Sequence, residues 1–217
     1  MILVYTVPFY IIIFIKYDII LLEIKIKLFI LKWFGGNLIS KIYEILLIHN
    51  RPWSFRELIF FIIILMVVTI IFSVLLKKEK INLFQLIAGE LLLIFMFIVL
   101  GSTVFTRIPK EERAFKLIPF WSWNEVIKGN IQVLEENLLN LTLLFPFGFL
   151  LPFVFYRKII WYKALIMGLV FSFFIETSQL ILKRGFFEWD DMIHNSLGAM
   201  LGCIIANKIF EKLVKKD

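Results

Sequence analysis

Cysteine and histidine are scarce in this chain, which has one cysteine, Cys203, and two histidines, His49 and His194. A single cysteine excludes a disulfide within the chain and excludes metal sites built from several thiolates. Two histidines so far apart in sequence do not support a multi-histidine metal site. No histidine lies at a helix-facing offset from Ser172, so a serine-hydrolase triad is not supported either. There is also no glycine loop of the kind that holds phosphates, which argues against a nucleotide-binding protein.

Charge is also sparse, because charged residues make up 19% of the chain against about 25% in an average soluble domain. Hydrophobic residues make up 61%, and the mean hydropathy is +0.91. This balance indicates an integral membrane protein. The N-terminal string "MILVYTVPFYIIIFIKYD" lacks the basic region and small-residue cleavage site of a signal peptide, so we expect it to be retained as an anchor.

Five apolar runs are long enough to cross a bilayer, whose core of about 30 Å needs roughly 20 helical residues. The five runs are Leu58 to Leu76, Leu83 to Thr106, Leu138 to Tyr156, Ile159 to Leu182 and Met192 to Phe210. A shorter run covers Ile2 to Ile15, and the mixed stretch from Lys16 to Glu57 is typical of helices that lie in the membrane interface. We therefore predict an all-α polytopic membrane protein, a bundle of five or six transmembrane helices with interfacial N-terminal helices. Three segments are expected: an anchor and interfacial segment over 1–57, two transmembrane helices over 58–106, and an outer loop with three transmembrane helices over 107–217.

Lysine and arginine are distributed unevenly among the loops, and short cytoplasmic loops carry the excess of these bases. Bases outnumber acids after the first predicted span, between the third and fourth, and at the C-terminus, whereas the connections over 107–137 and 183–191 are nearly balanced. This pattern predicts a multi-pass protein of the cell membrane with a cytoplasmic C-terminus. The basic stretch from Lys16 to Glu57 fits an outside position poorly.

Polar residues recur at helical spacing where the last two predicted spans meet at the outer side. Gly168, Ser172, Glu176 and Gln179 share one face of the fourth span, at i, i+4, i+8 and i+11. On the fifth span Asp191, Asn195, Gly198 and Gly202 also share one face, at i, i+4, i+7 and i+11, and the step from Gly198 to Gly202 allows close helix packing. In the third span Asn140 lies at the same depth, just before a "FPFG" string that predicts a kink.

A carboxylate within a bilayer needs a partner, water or a proton, so a functional site is the natural interpretation of this cluster. The candidate catalytic residues are Glu176 as general acid or base, Arg184 as its partner, and Asp191, which would orient Arg184 or a cation. The candidate binding residues are Asn140, Gln179, Asn195, Asp190, Arg107 and Arg113. Alternatively, the amides and Glu176 serve only to bond helices together. Glu176, Asp190 and Asp191 have the oxygen ligands of a magnesium-type site, but their spacing does not specify one, so metal and cofactor requirements stay open.

Four ordered strings carry a family resemblance: "KLIPF" from Lys116, "NLTLLFPFGFLLP" from Asn140, "SFFIETSQ" from Ser172 and "RGFFEWDDMIHNSLGAMLG" from Arg184. From Lys116 to the C-terminus the chain resembles the VanZ-like family, named for a protein associated with resistance to the glycopeptide teicoplanin. The resemblance implies a compact bundle of about four membrane helices. The recurrent polar positions of the family would be Asn140, Glu176, Gln179, Arg184, Asp191 and Asn195. Two departures are Lys116, where an asparagine is usual, and Phe187 or Glu188, where an aspartate is common.

The cluster and the resemblance together suggest a protein that acts at the outer leaflet on or near lipid-linked envelope precursors and contributes to teicoplanin tolerance. It could be an enzyme that acts on lipid headgroups, or a non-catalytic binder or shield of the lipid or the antibiotic. A transporter or flippase is the third alternative, disfavoured because the polar residues cluster on one side without an inverted repeat. The expected partner is a membrane lipid or lipid-linked precursor and not a nucleic acid. The sequence does not indicate an oligomeric state.

Overall fold

The computed structural model describes residues 51–214. The predicted N-terminal anchor and most of the predicted interfacial segment lie outside the described residues, and the boundaries proposed at 57 and 106 stay a prediction. The described chain is mainly helical. In order, its elements are α1 Phe55–Lys77, α2 Leu83–Leu100, a π-helical turn Gly101–Phe105, β1 Ala114–Lys116, α3 Trp121–Ile127, α4 Ile131–Leu143, α5 Phe145–Val154, α6 Trp161–Ile181, β2 Phe186–Glu188 and α7 Trp189–Val214.

The first two helices begin at capping boxes, which satisfy backbone N–H groups that have no partner within a helix. Ser54 Oγ accepts a hydrogen bond from the Glu57 N–H, and the Glu57 carboxylate accepts one from the Ser54 N–H. Asn82 and Gln85 repeat the arrangement at the start of α2. Each cap therefore fixes the first residue of its helix at the N-terminal end of an apolar run.

Four stretches of the described chain are long and apolar enough to cross a membrane: Phe55–Lys77, Leu83–Phe105, Ile131–Val154 and Trp161–Ile181. They correspond to the first four predicted runs. The fifth predicted run, Met192 to Phe210, lies inside α7, a helix of 26 residues. Polar side chains such as His194, Asn195 and Asn207 lower its hydropathy, so α7 is not among the four. The predicted number of five or six spans is therefore not confirmed.

A break separates α4 from α5 at Leu144, within the third membrane-length stretch. Pro146 lies in the first turn of α5, where its missing N–H costs no helical hydrogen bond. The structure thus has a helix break beside the "FPFG" string, where the sequence predicts a kink, but the break is at Leu144 and Pro146 removes no helical hydrogen bond. The stretch itself starts at Ile131, seven residues before the predicted Leu138, because an amphipathic turn that ends in Asn137 precedes the apolar run.

Close backbone contacts place α7 against the kinked pair α4 and α5. A Cβ added at Gly198 would lie 1.9 Å from the Leu141 carbonyl oxygen, and one at Gly148 would lie 1.8 Å from that of Ala199. Gly202 would meet the Phe145 carbonyl oxygen in the same way. The predicted small-residue step is thus used for close packing, and the buried core includes Leu144, Leu151, Ile175, Ala199 and Cys203.

Two three-residue strands add a feature that the all-α prediction did not include. Strands β1 and β2 pair in parallel, with Ala114 opposite Phe186 and Lys116 opposite Glu188. Segments this short show no readable alternation, so periodicity alone does not reveal them. The pairing holds the loop after the π-helical turn against the turn between α6 and α7.

Candidate functional site

Glu176 lies on the buried face of α6, as its spacing predicts, with 2% of its surface exposed. Its Oε2 accepts a hydrogen bond from the backbone N–H of Glu188 at 3.0 Å. The other oxygen, Oε1, accepts no hydrogen bond from the described residues. The carboxylate is therefore held at one oxygen by the β2 backbone, and not by the Arg184 side chain that the sequence suggested as its partner.

Arg184 instead binds the end of the π-helical turn. Its Nη1 donates to the carbonyl oxygen of Val104 at 3.1 Å and to that of Phe105. Arg51 Nη2 donates to the same Phe105 oxygen at 3.0 Å. The carbonyls that end a helix lack partners within it and carry partial negative charge, so two guanidinium groups stabilise this terminus. Arg184 therefore serves as a structural contact that joins the segment after α6 to the π-helical turn.

Arg107 is the guanidinium that neighbours the carboxylates. It interacts electrostatically with both Glu176 and Asp191. Its Nε is buried and has no hydrogen-bond partner among the described residues, although the residue as a whole is only half-buried. Its Nη1 passes the backbone of Gly185, where an added Cβ would lie 3.2 Å away. Arg107, and not Arg184, is therefore the arginine with an electrostatic influence on Glu176, although it forms no ion pair with that carboxylate among the described residues.

The predicted amides bridge the helices around this cluster. Asn140 Nδ2 donates to Asp191 Oδ1 at 2.6 Å and joins α4 to α7. Asn195 Nδ2 donates to Ser172 Oγ at 2.8 Å and joins α7 to α6. Gln179 joins α6 to the π-helical turn through the Thr103 carbonyl oxygen at 2.9 Å. These bonds suit either a rigid binding site or helix association alone.

Asp190 organises the loop that leads into α3, because both of its oxygens accept hydrogen bonds from that segment. They accept from the N–H groups of Phe120, at 2.5 Å, and Ser122, at 2.9 Å, and from the Ser122 hydroxyl at 2.5 Å. Phe120 has a φ of 62°, an uncommon conformation for a residue other than glycine, and the carboxylate helps to hold it. Within residues 51–214 no group of three or more acidic, histidine or cysteine side chains could hold a metal ion. A magnesium-type set of Glu176, Asp190 and Asp191 is therefore not assembled.

Lysine and aromatic residues flank the short sheet. Lys116 Nζ lies 3.5 Å from Glu188 Oε1 and 3.7 Å from the centre of the Trp121 ring. Lys110 Nζ lies 3.5 Å from the centre of the Phe186 ring. Burial raises the pKa of Glu188 above its ordinary value, although Lys116 opposes the shift. Desolvation lowers the pKa of Lys110, and the nearby Arg107 adds to this effect. Arg107, Lys110 and Lys116 therefore lie near one another and near Glu188.

A family model described as VanZ/LLP1 matches residues 55–211. The chain belongs to the VanZ/LLP1 family. The match begins at Phe55, so the family region includes α1 and α2, which the resemblance read from Lys116 onward did not cover. No curated protein and no solved structure matches the chain.

In this member of the VanZ/LLP1 family, Lys116 faces Glu188, one of the two positions given for the second departure from the family strings. Lys116 and Glu188 are opposite in the β1–β2 register and form the ion pair described above. Sequence reasoning did not select either residue, or Lys110, as part of the site. A signal was present for the pair, since two unusual residues of opposite charge suggest contact. Arg113, which was selected, is exposed on the loop before β1.

Proposed function

We propose that this VanZ/LLP1 protein acts at the outer leaflet of the cell membrane, on or near lipid-linked envelope precursors, and so contributes to tolerance of the glycopeptide teicoplanin. The family membership supports a role of this kind. Arg107, Lys110 and Lys116 lie near one another at one end of the helices, and three neighbouring cations suit a ligand with phosphate groups, as lipid-linked precursors have. The predicted orientation assigns that end to the outer leaflet.

The observation that carries the proposal is the position of Arg107. Arg107 is half-buried and interacts electrostatically with Glu176 and Asp191, and its buried Nε has no hydrogen-bond partner among the described residues. Arginine is suited to bidentate contact with phosphate, and such charge-assisted bonds are stronger in a partly buried site. Lys110 and Lys116 lie along the same edge and would extend the contact to a second phosphate.

A catalytic role is the stronger form of this proposal, and Glu176 is its candidate acid or base. One oxygen of Glu176 is fixed by the Glu188 backbone, and the other receives no hydrogen bond from the described residues. A general acid or base needs both features, a fixed orientation and an oxygen that can exchange a proton with the substrate. Asp191, held by Asn140, would orient Arg107 instead of Arg184. A non-catalytic binder would use the same contacts without the proton transfer.

Two substitutions test the proposal in the full chain. Glu176→Gln keeps size and hydrogen bonding but cannot transfer the proton, so a catalytic site predicts binding of a lipid-linked peptidoglycan precursor within about twofold of the parent and loss of teicoplanin tolerance. Unchanged tolerance and unchanged binding would overturn the catalytic role.

Arg107→Gln tests the phosphate contact, and Arg113→Gln is its control because it removes the same charge from the same loop outside the cluster. Loss of a charge-assisted contact predicts precursor binding weaker by about tenfold in nanodiscs for the first variant and by less than about twofold for the second. Equal binding by the two variants would contradict the proposed site.

A further inference from the structure

A groove lies at the opposite end of α6 and α7, far along both helices from the carboxylate cluster. It encloses about 330 Å³ between the segment that begins α6 and the last turns of α7. Its apolar side is formed by Ile160, Trp161 and Ile204, and its polar side by Lys158, Lys208 and Glu211. The volume is at the low end of the range for small-ligand sites, so it suits a headgroup with the first part of an acyl chain better than a helix.

Asn207 builds the wall of this groove. Its Oδ1 accepts a hydrogen bond from the Ile159 N–H at 3.1 Å, and its Nδ2 donates to the Ile159 carbonyl oxygen at 2.7 Å. Ile159 is buried, and the buried Cys203 thiol also lies against its carbonyl oxygen at 3.5 Å. This two-point contact fixes the backbone between Lys158 and Ile160, so the groove is a built feature and not a gap between mobile side chains.

The charges of the groove favour an anion. Lys158 and Lys208 supply two ammonium groups against the single carboxylate of Glu211, which forms an ion pair with Lys158. Lys208 is exposed and takes part in no ion pair among residues 51–214. An anionic ligand would bind Lys208 and compete with Glu211 for Lys158.

The surroundings favour a lipid as the source of that anion. The groove adjoins Trp161, the first residue of a membrane-length helix, and Trp161 and Ile160 are 54% and 50% exposed. At the end of a span these side chains meet the boundary between headgroups and acyl chains, where tryptophan is enriched. The excess of lysine and arginine predicts that this end faces the cytoplasm, where the leaflet is rich in anionic lipid. We propose that this groove is a binding site for an anionic phospholipid of the inner leaflet, with Lys208 and Lys158 on the headgroup and Ile160, Trp161 and Ile204 on the acyl chain.

Native mass spectrometry of the full chain, released from nanodiscs of equal phosphatidylglycerol and phosphatidylcholine, tests this site. Each lysine near an anionic headgroup contributes about fivefold, so Lys208→Gln should lower the retained phosphatidylglycerol about fivefold relative to the parent. Lys212→Gln is the matched control, because Lys212 is an exposed lysine of the same helix that does not line the groove. Equal retention of phosphatidylglycerol by these two variants would overturn the proposal.

A gain-of-binding variant keeps the test independent of losses in folding. Glu211→Gln removes the competitor for Lys158 and should raise phosphatidylglycerol retention about fivefold. Glu79→Gln adds the same net charge at an exposed loop outside the groove and should leave retention unchanged. If both variants retain more phosphatidylglycerol by the same factor, the effect is a general attraction of the more positive protein to the membrane, and the proposed site is refuted. Sodium phosphate that displaces phosphatidylglycerol at millimolar concentration would assign the groove to a soluble phosphate and refute the lipid.

Discussion

Lys116 and Glu188 show how a single ion pair connects the loop before α3 to the buried carboxylate of Glu176. Lys116 touches Glu188 and the Trp121 ring on the strand side, while the backbone N–H of Glu188 holds Glu176. A change at Glu188 therefore reaches the candidate site through its own backbone. The ionisation of Glu188 should be visible in the stability of the whole protein.

Glu188 predicts a loss of stability as the pH rises. Its pKa in the folded protein lies above the ordinary value of 4.5, mainly because of burial, so its contribution to stability is complete below about pH 4.5 and is lost as the pH passes the raised value. Glu188→Gln mimics the protonated form, so the unfolding temperature of the parent should fall relative to that of this variant as the pH rises from about 4.5 through the raised pKa of Glu188. Thermal unfolding in detergent micelles measures the difference.

Lys116→Gln provides the complementary test, since Lys116 opposes the shift. Without it the pKa of Glu188 rises further, and the loss of stability with pH should be larger than in the parent. The raised pKa of Glu188 would be contradicted if the difference in unfolding temperature between the parent and Glu188→Gln did not change with pH. It would also be contradicted if the parent became more stable relative to Glu188→Gln as the pH rises.

Partner choice among individual residues was the hardest feature to predict. Spacing identified Glu176, Gln179, Asp191 and Asn195 as polar positions that face inward, and all four form hydrogen bonds to another helix or to a neighbouring turn. It could not distinguish Arg184 from Arg107 as the neighbour of Glu176. That choice depends on the free carbonyls at the end of the π-helical turn, which bind Arg184 and which no sequence pattern reveals.

At the scale of elements, the contact of α7 with the α4–α5 kink is the most sensitive packing in the bundle. Gly198 faces a backbone carbonyl, which cannot move aside as a side chain can. We expect Gly198→Ala to destabilise the protein by about 1–3 kcal/mol, because the helices must separate to admit the methyl group. The unfolding temperature in micelles would report this loss.

Gly89→Ala provides a comparison in which the same methyl group is added at a less rigid contact. The added Cβ at Gly89 would meet only the ring of Phe72, 2.3 Å away on α1, and that side chain can shift. A smaller loss than for Gly198→Ala is expected. If Gly198→Ala were as stable as the parent, the close approach of α7 to α4 would be wrong.

The helices themselves were largely predictable, because each membrane-length stretch is a long apolar run with a capping or polar boundary. The exceptions have local causes. Helix α4 begins before Leu138, but its first residues are amphipathic and so do not belong to the apolar run. The two strands have only three residues each, which is too short to show a period. The close approach of Gly198 and Gly202 was visible in the spacing, but the element that they contact was not.

For the whole molecule, the distribution of basic residues predicts the orientation in the membrane. Arg113 lies on the loop expected outside, and Lys212 near the end expected in the cytoplasm; both are exposed, whereas the native Cys203 is buried. In a Cys203→Ser background, Arg113→Cys should react with a membrane-impermeant maleimide in intact cells, and Lys212→Cys should react only after permeabilisation.

Reaction of Lys212→Cys in intact cells, with protection of Arg113→Cys, would reverse the orientation. Reversal would move the carboxylate cluster to the inner leaflet and the lysine groove to the outer leaflet. It would therefore contradict the proposed action on envelope precursors at the outer surface. The lipid groove would keep its chemistry but lose its inner-leaflet assignment.

The sequence by itself determined the membrane class, the apolar stretches and the polar faces of α6 and α7, because these follow from composition and from a period of 3.6 residues. Tertiary structure alone decided that Arg184 binds the π-helical turn and not Glu176, that the loop before α3 donates the hydrogen bonds to Asp190, and that Lys116 and Glu188 pair across two short strands. Those contacts join residues up to 80 positions apart, as Arg184 and Val104 are. They depend on how close two backbones come and which carbonyls are left without partners, and neither quantity is encoded in local spacing.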